Sequence, residues 1–188
     1  MTSSLPALRD DTFHAIRALM HQAIGLHFAD SKKTLISSRL GPRIQRLGLG
    51  GYEDYVRLID SPDDGGEFQM AVDLLTTNET YFFREPAHFD AIEAELARTR
   101  PRTLAVWSAA SSFGDEAYSL AMLLADLQQQ GRLTADWQIL GTDISDRVLR
   151  SAVQGIYPAD RLRHASPERL RRYCLRGEGE SAGLLQIA

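Results

Sequence analysis

The chain has a single cysteine, Cys174, among 188 residues. No internal disulfide can staple it, which suits a reducing compartment. It has no apolar run near the ~20 residues that a membrane-spanning helix needs, so direct membrane insertion is not expected. It has no excess of positive charge: 21 Lys and Arg stand against 25 Asp and Glu, a formal charge of −4. A molecule of that balance is not built to coat nucleic acid. Met1-Thr-Ser-Ser-Leu-Pro6 lacks the basic and apolar regions of a signal peptide, and the expected location is the cytoplasm. Repeats and low-complexity tracts are missing. His14, His21 and His27 have no Cys, Asp or Glu pattern at ligand spacing around them, so no metal site is expected. What remains is an ordinary globular composition, 44% hydrophobic and 24% charged, with length for one large or two small domains.

The first third reads as short helices. Asp10, Asp11 and Thr12 offer capping side chains, and Phe13, Ile16, Met20, Ala23 and Ile24 recur at helical spacing up to a stop at Gly25. A second helix, capped by Ser31 and ending near Gly48, carries the apolar stripe Ile36, Leu40, Ile44 and Leu47. Beside that stripe Lys32, Arg39, Arg43 and Arg46 fall within roughly 60° of one another at about 100° per residue. The ridge is either a solvated face or a docking surface for an acidic partner. Two more short helices follow, one near residues 52–60 and one carrying Phe68, Val72 and Leu75, separated by the Pro- and Gly-rich break at residues 61–66.

The middle of the chain changes character. Leu104-Ala-Val-Trp107 predicts a fully buried strand. Small residues follow, then Gly114 and a long helix opening on Asp115 and Glu116. Ile139-Leu140 belongs to a second strand, with Asp143 at its carboxyl end. Strand, small-residue turn, helix, and strand ending in an acid is how an open α/β sheet builds a nucleotide pocket. Acids in the first helical turn would repel a phosphate, which argues against a P-loop and a dinucleotide pyrophosphate. They would welcome a cation. Ahead of the first strand, Arg84 stands beside three aromatics, where a guanidinium can grip a carboxylate in two prongs, and Thr80 adds a hydroxyl. An acid for a ribose, acids for a cation and an arginine for a carboxylate suit one ligand, S-adenosylmethionine.

Asn78-Glu-Thr-Tyr-Phe-Phe-Arg-Glu85, Val106-Trp-Ser-Ala109, Gly114-Asp-Glu-Ala-Tyr-Ser-Leu-Ala121, and Thr142-Asp-Ile-Ser145 through Gly155-Ile-Tyr-Pro158 resemble, in order, the CheR-type chemoreceptor methyltransferases. The resemblance implies methyl transfer from S-adenosylmethionine to glutamate side chains on the cytoplasmic methylation helices of chemoreceptors. It implies an α/β protein: an all-helical N-terminal, receptor-docking domain (1–77), a cofactor loop and linker helix (78–101), and the first part of a Rossmann-like methyltransferase domain (102–188). By resemblance Thr80, Arg84, Ala110, Glu116 and Asp143 hold the cofactor, with Arg84 also steering the reactants. Lys32, Arg39, Arg43 and Arg46 then become the surface that meets the acidic receptor helices. No base is required, because the attacking carboxylate is already ionised at neutral pH.

The chain departs from the family pattern at Ala110-Ser111 for Gly-Cys, Phe113 for Thr, Asp115 for Glu and Ala117 for Pro. Phe113 is expected to put bulk beside the pocket. Leu184-Leu-Gln-Ile-Ala188 reads as a strand just starting, so the expectation is a truncated product or an incomplete record of a longer protein that is monomeric when complete. Two rival readings remain: a truncated, non-catalytic relative that binds cofactor or receptor, and a nucleotide-binding α/β domain unrelated to methylation.

Overall fold

Residues 5–188 are described by the structure, a computed structural model, and they fall into two units that divide between Thr77 and Asn78. The first unit is helical: α1 (Asp10–Ile24), α2 (Lys33–Arg46) entered through a 3₁₀ turn (Asp30–Lys32), α3 (Tyr52–Ile59) and α4 (Glu67–Leu75). The apolar stripes meet in one core, with Phe13, Ile16 and Met20 facing Ile36, Leu40 and Ile44, and Tyr55, Ile59, Val72 and Leu75 closing it. Helices this short are marginal alone, so this burial is what stabilises them. The expected caps are corrected. Asp10 and Asp11 lie inside the first turn of α1 and not at the N-cap position; there they complement the helix dipole, and Asp11 Oδ1 accepts the Thr12 N–H at 2.7 Å, while Ser31 lies in the 3₁₀ turn.

The basic ridge divides. Arg39 Nη1 donates to the carbonyls of Leu74, Leu75 and Thr76 at 3.3, 3.0 and 3.0 Å, satisfying the orphan carbonyls at the end of α4. Arg43 grips Glu67 with Nε and Nη2 at 2.8 and 2.6 Å, and the Tyr55 hydroxyl donates to the same carboxylate at 2.9 Å. The Arg43 hydrogen bonds, helped by Tyr55, hold the Glu67 carboxyl below its ordinary 4.5, against the opposing effect of burial. Both guanidiniums therefore tie this unit together. Lys32 and Arg46 are exposed and form no ion pair among the described residues.

The second unit runs α5 (Pro86–Thr99), β1 (Thr103–Ala109), α6 (Asp115–Gln129), β2 (Asp136–Thr142), α7 (Asp146–Gln154), β3 (Ile156–Pro158), α8 (Pro167–Tyr173), β4 (Cys174–Arg176) and β5 (Leu184–Ile187). β1 and β2 pair in parallel, from Thr103 opposite Asp136 to Ala109 opposite Thr142. Leu104, Val106, Trp137 and Ile139 pack against Leu96 of α5 and Leu123, Leu124 and Leu127 of α6. The expectation of a strand buried on both faces is corrected. Side chains alternate across a strand, and the second face carries Trp107 and Leu140 at 69% and 62% exposure. The closing segment also differs from expectation. β5 does not begin a new sheet: it is the middle strand of an antiparallel sheet, with Leu185 opposite Tyr157 of β3 and Gln186 opposite Leu175 of β4. α6 is the shared wall, giving Leu123, Leu124 and Leu127 to the parallel pair and Met122 to a core with Phe82, Phe83, Tyr157, Leu162 and Leu185.

Candidate functional site

At the carboxyl ends of β1 and β2 the backbone is strained. Ala110 and Ser112 have φ of 56° and 52°, and Phe83 and Glu85, in the loop at residues 78–85, both have 55°. Such conformations typically cost ~1–3 kcal/mol each and persist where surrounding structure over-determines them. Here the surroundings are visible. The Ser111 N–H donates to the Thr142 carbonyl at 2.8 Å, drawing the turn after β1 across the end of β2. Asp143 accepts the Ser112 N–H on Oδ2 at 2.8 Å and the Ser145 N–H on Oδ1 at 2.9 Å. Gly141 suits this closure, because a Cβ there would stand 2.7 Å from Ser111 Oγ and 3.1 Å from Ser111 Cβ and would force that side chain to shift. Gly114, with φ of 87°, then starts α6.

Three of the expected cofactor residues converge on these strand ends. Ala110 supplies the turn. Asp143 braces it and keeps acceptor capacity on both oxygens. Glu116 is exposed at the start of α6, its Oε1 accepting from Ser108 Oγ at 2.7 Å. Ser112 Oγ is buried and has no hydrogen-bond partner among the described residues. A donor left unmade at the tip of the turn is what a ligand with hydroxyls or a carboxylate would satisfy.

The other two stand on the loop. Thr80 lies in irregular backbone, not on a helical turn, and its carbonyl accepts from Arg161 Nη2 at 3.3 Å. Arg84 is exposed, donates to the Glu79 carbonyl at 2.9 Å, and lies 5.9 Å from the Tyr81 ring centroid. Only one of the three expected aromatics accompanies it, because Phe82 and Phe83 are buried in the core. No hydrogen bond or ion pair joins Arg84 to the strand-end group among the described residues.

One further expectation is corrected. Asp115 and Glu116 do not act as a pair. Asp115 is fully buried and bonded to Arg161 through both oxygens, so only Glu116 is available to a cation. Phe113 is the residue expected to put bulk beside the pocket. Its ring packs into the second core and lies 4.7 Å beneath the Arg161 guanidinium. From the sequence Ser112 is expected only as one of the small side chains that let a ligand approach, and Arg161 and Ser119 carry no expected role, although Arg161 stands three residues beyond the motif ending at Pro158. Ser119 is buried and links two segments: its hydroxyl accepts the Phe83 N–H at 2.9 Å and donates to the Asp115 carbonyl at 2.6 Å.

A cavity of about 530 Å³ opens between α6 and α7 against β2, lined by Ala117, Tyr118, Ile139, Leu149 and Val153 among others. None of the expected cofactor residues borders it. Its lining is mostly apolar and includes no charged side chain to meet an ammonium or a carboxylate. The residues that fit a zwitterionic nucleoside are at the strand ends: carboxylates for hydroxyls and a cation, an unpaired hydroxyl, and a turn whose small side chains let a ligand approach the backbone. No group of His, Cys, Asp and Glu among the described residues is arranged to hold a metal ion, and no described helix is long and apolar enough to cross a membrane.

Comparison with known proteins meets this geometry. The family model described as CheR methyltransferase, SAM binding domain matches residues 78–187, and that described as CheR methyltransferase, all-alpha domain matches residues 11–76. A chemotaxis protein methyltransferase of Escherichia coli K12 is 39% identical across 100% of this chain and 69% of its own length. Chemotaxis protein methyltransferase 2 of Pseudomonas aeruginosa is 39% identical across 95% of this chain and 63% of its own length. The chemotaxis protein methyltransferase of Borreliella burgdorferi is 31% identical across 81% of this chain and 56% of its own length.

Proposed function

The chain belongs to the CheR methyltransferase family, with an all-alpha domain followed by an S-adenosylmethionine-binding domain, and from that premise we propose that it serves methyl transfer from S-adenosylmethionine to glutamate side chains of chemoreceptors. The curated relatives are named chemotaxis protein methyltransferases, which supports that activity and a chemoreceptor partner. The family match leaves no room for a nucleotide-binding domain unrelated to methylation. The observation that carries the cofactor reading is the strand-end turn, where Asp143 braces strained backbone around the unpaired Ser112 hydroxyl. In this reading Asp143 accepts from the ribose, Glu116 faces the cationic part, and Thr80 and Arg84 take the amino-acid end. The cofactor supplies an electrophilic methyl group. A glutamate oxygen forms the new bond to that carbon as the carbon–sulfur bond breaks, leaving a methyl ester and a neutral thioether, so no proton has to move. The chain's task is alignment and exclusion of water, and Arg84 is the residue proposed to steer the two reactants.

Calorimetric titration of the chain with S-adenosylmethionine tests this. Arg84→Ala removes an exposed guanidinium without touching the core, and Asp143→Asn keeps one acceptor for the turn. Each loses charge-assisted hydrogen bonds worth ~1.5–3 kcal/mol, so the affinity is expected to fall about 10- to 100-fold. Unchanged affinity in both variants would sink the assignment.

The receptor-docking proposal needs a different variant from the obvious one. Arg39 and Arg43 hold the helical unit together, so reversing them confounds docking with folding. Lys32→Glu with Arg46→Glu reverses the two exposed charges of the ridge. Binding to acidic receptor helices is expected to weaken several-fold and to lose part of its salt dependence, while cofactor affinity stays the same. Wild-type receptor binding and salt response in this double variant would remove the ridge from the interface.

A further inference from the structure

Apart from Asp143, the proposed cofactor contacts come from two segments far apart in the chain, residues 78–85 and residues 110–116. Arg161, in the 3₁₀ turn Ala159–Leu162 that follows β3, touches both. Its Nε and Nη2 donate to Asp115 Oδ1 and Oδ2 at 3.0 and 2.7 Å, a two-pronged grip on the first residue of α6. The same Nη2 donates to the Thr80 carbonyl at 3.3 Å. The Arg161 backbone carbonyl accepts the Phe82 N–H at 3.2 Å. Its guanidinium lies 4.7 Å from the Phe113 ring centroid and 5.6 Å from that of Tyr157, which leaves it little freedom to swing away.

A buried ion pair such as Asp115–Arg161 is weak evidence for a stabilising role. Burial pushes the Asp115 carboxyl up despite the guanidinium beside it. A carboxyl raised on folding favours the folded state only below its unfolded value, and that contribution is lost as pH rises through the raised value. Burial therefore works against the ionised Asp115 carboxylate at neutral pH. What the contact achieves is geometric. A planar fork fixed on Asp115 holds the backbone of Thr80 at a set distance from the start of α6, one residue from Glu116. Lysine, with a single ammonium, does not reproduce that fork.

We infer that Arg161 is a positioning residue, which holds the loop bearing Thr80 and Arg84 in register with the turn and helix bearing Ala110 and Glu116. The inference rests on the proposed cofactor site, and it reaches that site through Thr80 and Asp115 without contact between Arg161 and the ligand.

The same chain contains its own control. Arg172 of α8 bonds to Asp126 of α6 at 3.0 Å, so it too ties the region after β3 to α6, but among the described residues it has no bond to the loop at residues 78–85. The experiment compares Arg161→Met, Arg161→Lys and Arg172→Met in the full chain by two readouts: S-adenosylmethionine affinity by calorimetry, and amide exchange of residues 78–85 without ligand. Arg161→Met is expected to weaken binding about 10-fold or more and to speed exchange at Phe82 and Phe83. Arg161→Lys should recover part of both, and Arg172→Met should change neither. Wild-type binding and exchange in Arg161→Met would overturn the inference. So would equal losses in Arg172→Met, which would mark a general loosening. If Arg161→Met does not fold, Arg161→Lys decides: wild-type values for it overturn the inference, and intermediate losses absent from Arg172→Met support it. If Arg84→Ala and Asp143→Asn leave affinity unchanged, the cofactor reading itself fails. If those two weaken binding and Arg161→Met does not, the positioning role alone fails. Should the unsubstituted chain not bind, the cofactor reading fails while exchange still decides whether Arg161 holds the loop.

Discussion

Arg43→Met is expected to destabilise the helical unit by about 3–5 kcal/mol, the usual cost of removing one partner from a buried ion pair. Glu67 is 5% exposed, so without Arg43 its carboxylate keeps only the Tyr55 hydroxyl, at 2.9 Å, in a site that water barely reaches. Either the charge stays buried and unpaired or the carboxyl takes up a proton, and both are costly at neutral pH. Replacing the pair together, Arg43→Met with Glu67→Leu, should cost much less than Arg43→Met alone, because no charge is then stranded. The pH response has a definite sign. The Glu67 carboxyl is depressed on folding, chiefly by its hydrogen bonds to Arg43. Its contribution is fully present above its ordinary 4.5 and is lost as pH falls through the depressed folded value. The unsubstituted unit should therefore lose stability as pH falls from about 4.5 through the depressed folded value, and the doubly substituted unit should lose less. Hydrogen exchange resolved to α2 and α4 reads the effect without interference from the second unit. A loss under about 1 kcal/mol in Arg43→Met would mean that the pair is solvated and contributes little.

The ridge shows where a sequence stops being legible. Helical spacing placed Arg39 and Arg43 correctly on one face of α2, because that spacing is a local property. Their partners are not local. Arg39 meets carbonyls 35 to 37 residues away and Arg43 meets an acid 24 residues away, and nothing in the pattern of α2 signals either. Arg161 hides for the same reason, 46 residues from Asp115. β1 illustrates a second limit. Leu104, Ala105, Val106 and Trp107 include no polar residue, so period two leaves no trace in the hydrophobic pattern, and a half-covered strand reads as fully buried. β5 illustrates a third: a short apolar run has the same pattern whether it begins a parallel sheet or closes an antiparallel one. The all-helical start and the α/β character of the rest were legible because stripe spacing, small-residue turns and strand ends all pointed to one fold.

The bare face of the parallel pair leads to the last prediction. Trp107 and Leu140 are in-register neighbours across β1 and β2, and both point away from α5 and α6. The indole N–H of Trp107 donates to Thr142 Oγ1 at 2.9 Å, so its polar atom is satisfied and the ring that remains is apolar. Among the described residues β1 and β2 each have one strand neighbour, so two edges are open. Exposed apolar side chains beside unpaired edges favour pairing with another copy. Covering a large apolar side chain is worth ~1.5–3 kcal/mol, so burying both gives about 3–6 kcal/mol per molecule, roughly two to four decades in association constant. The unsubstituted chain should accordingly sediment as a concentration-dependent mixture of monomer and larger species. Trp107→Lys with Leu140→Lys puts charge on that face and leaves the packed side of the sheet alone, and it should remain monomeric to concentrations at least about 100-fold higher. Equal association in the two proteins would place the contact elsewhere, with Val153 and Leu175, 85% and 59% exposed, as the next residues to change.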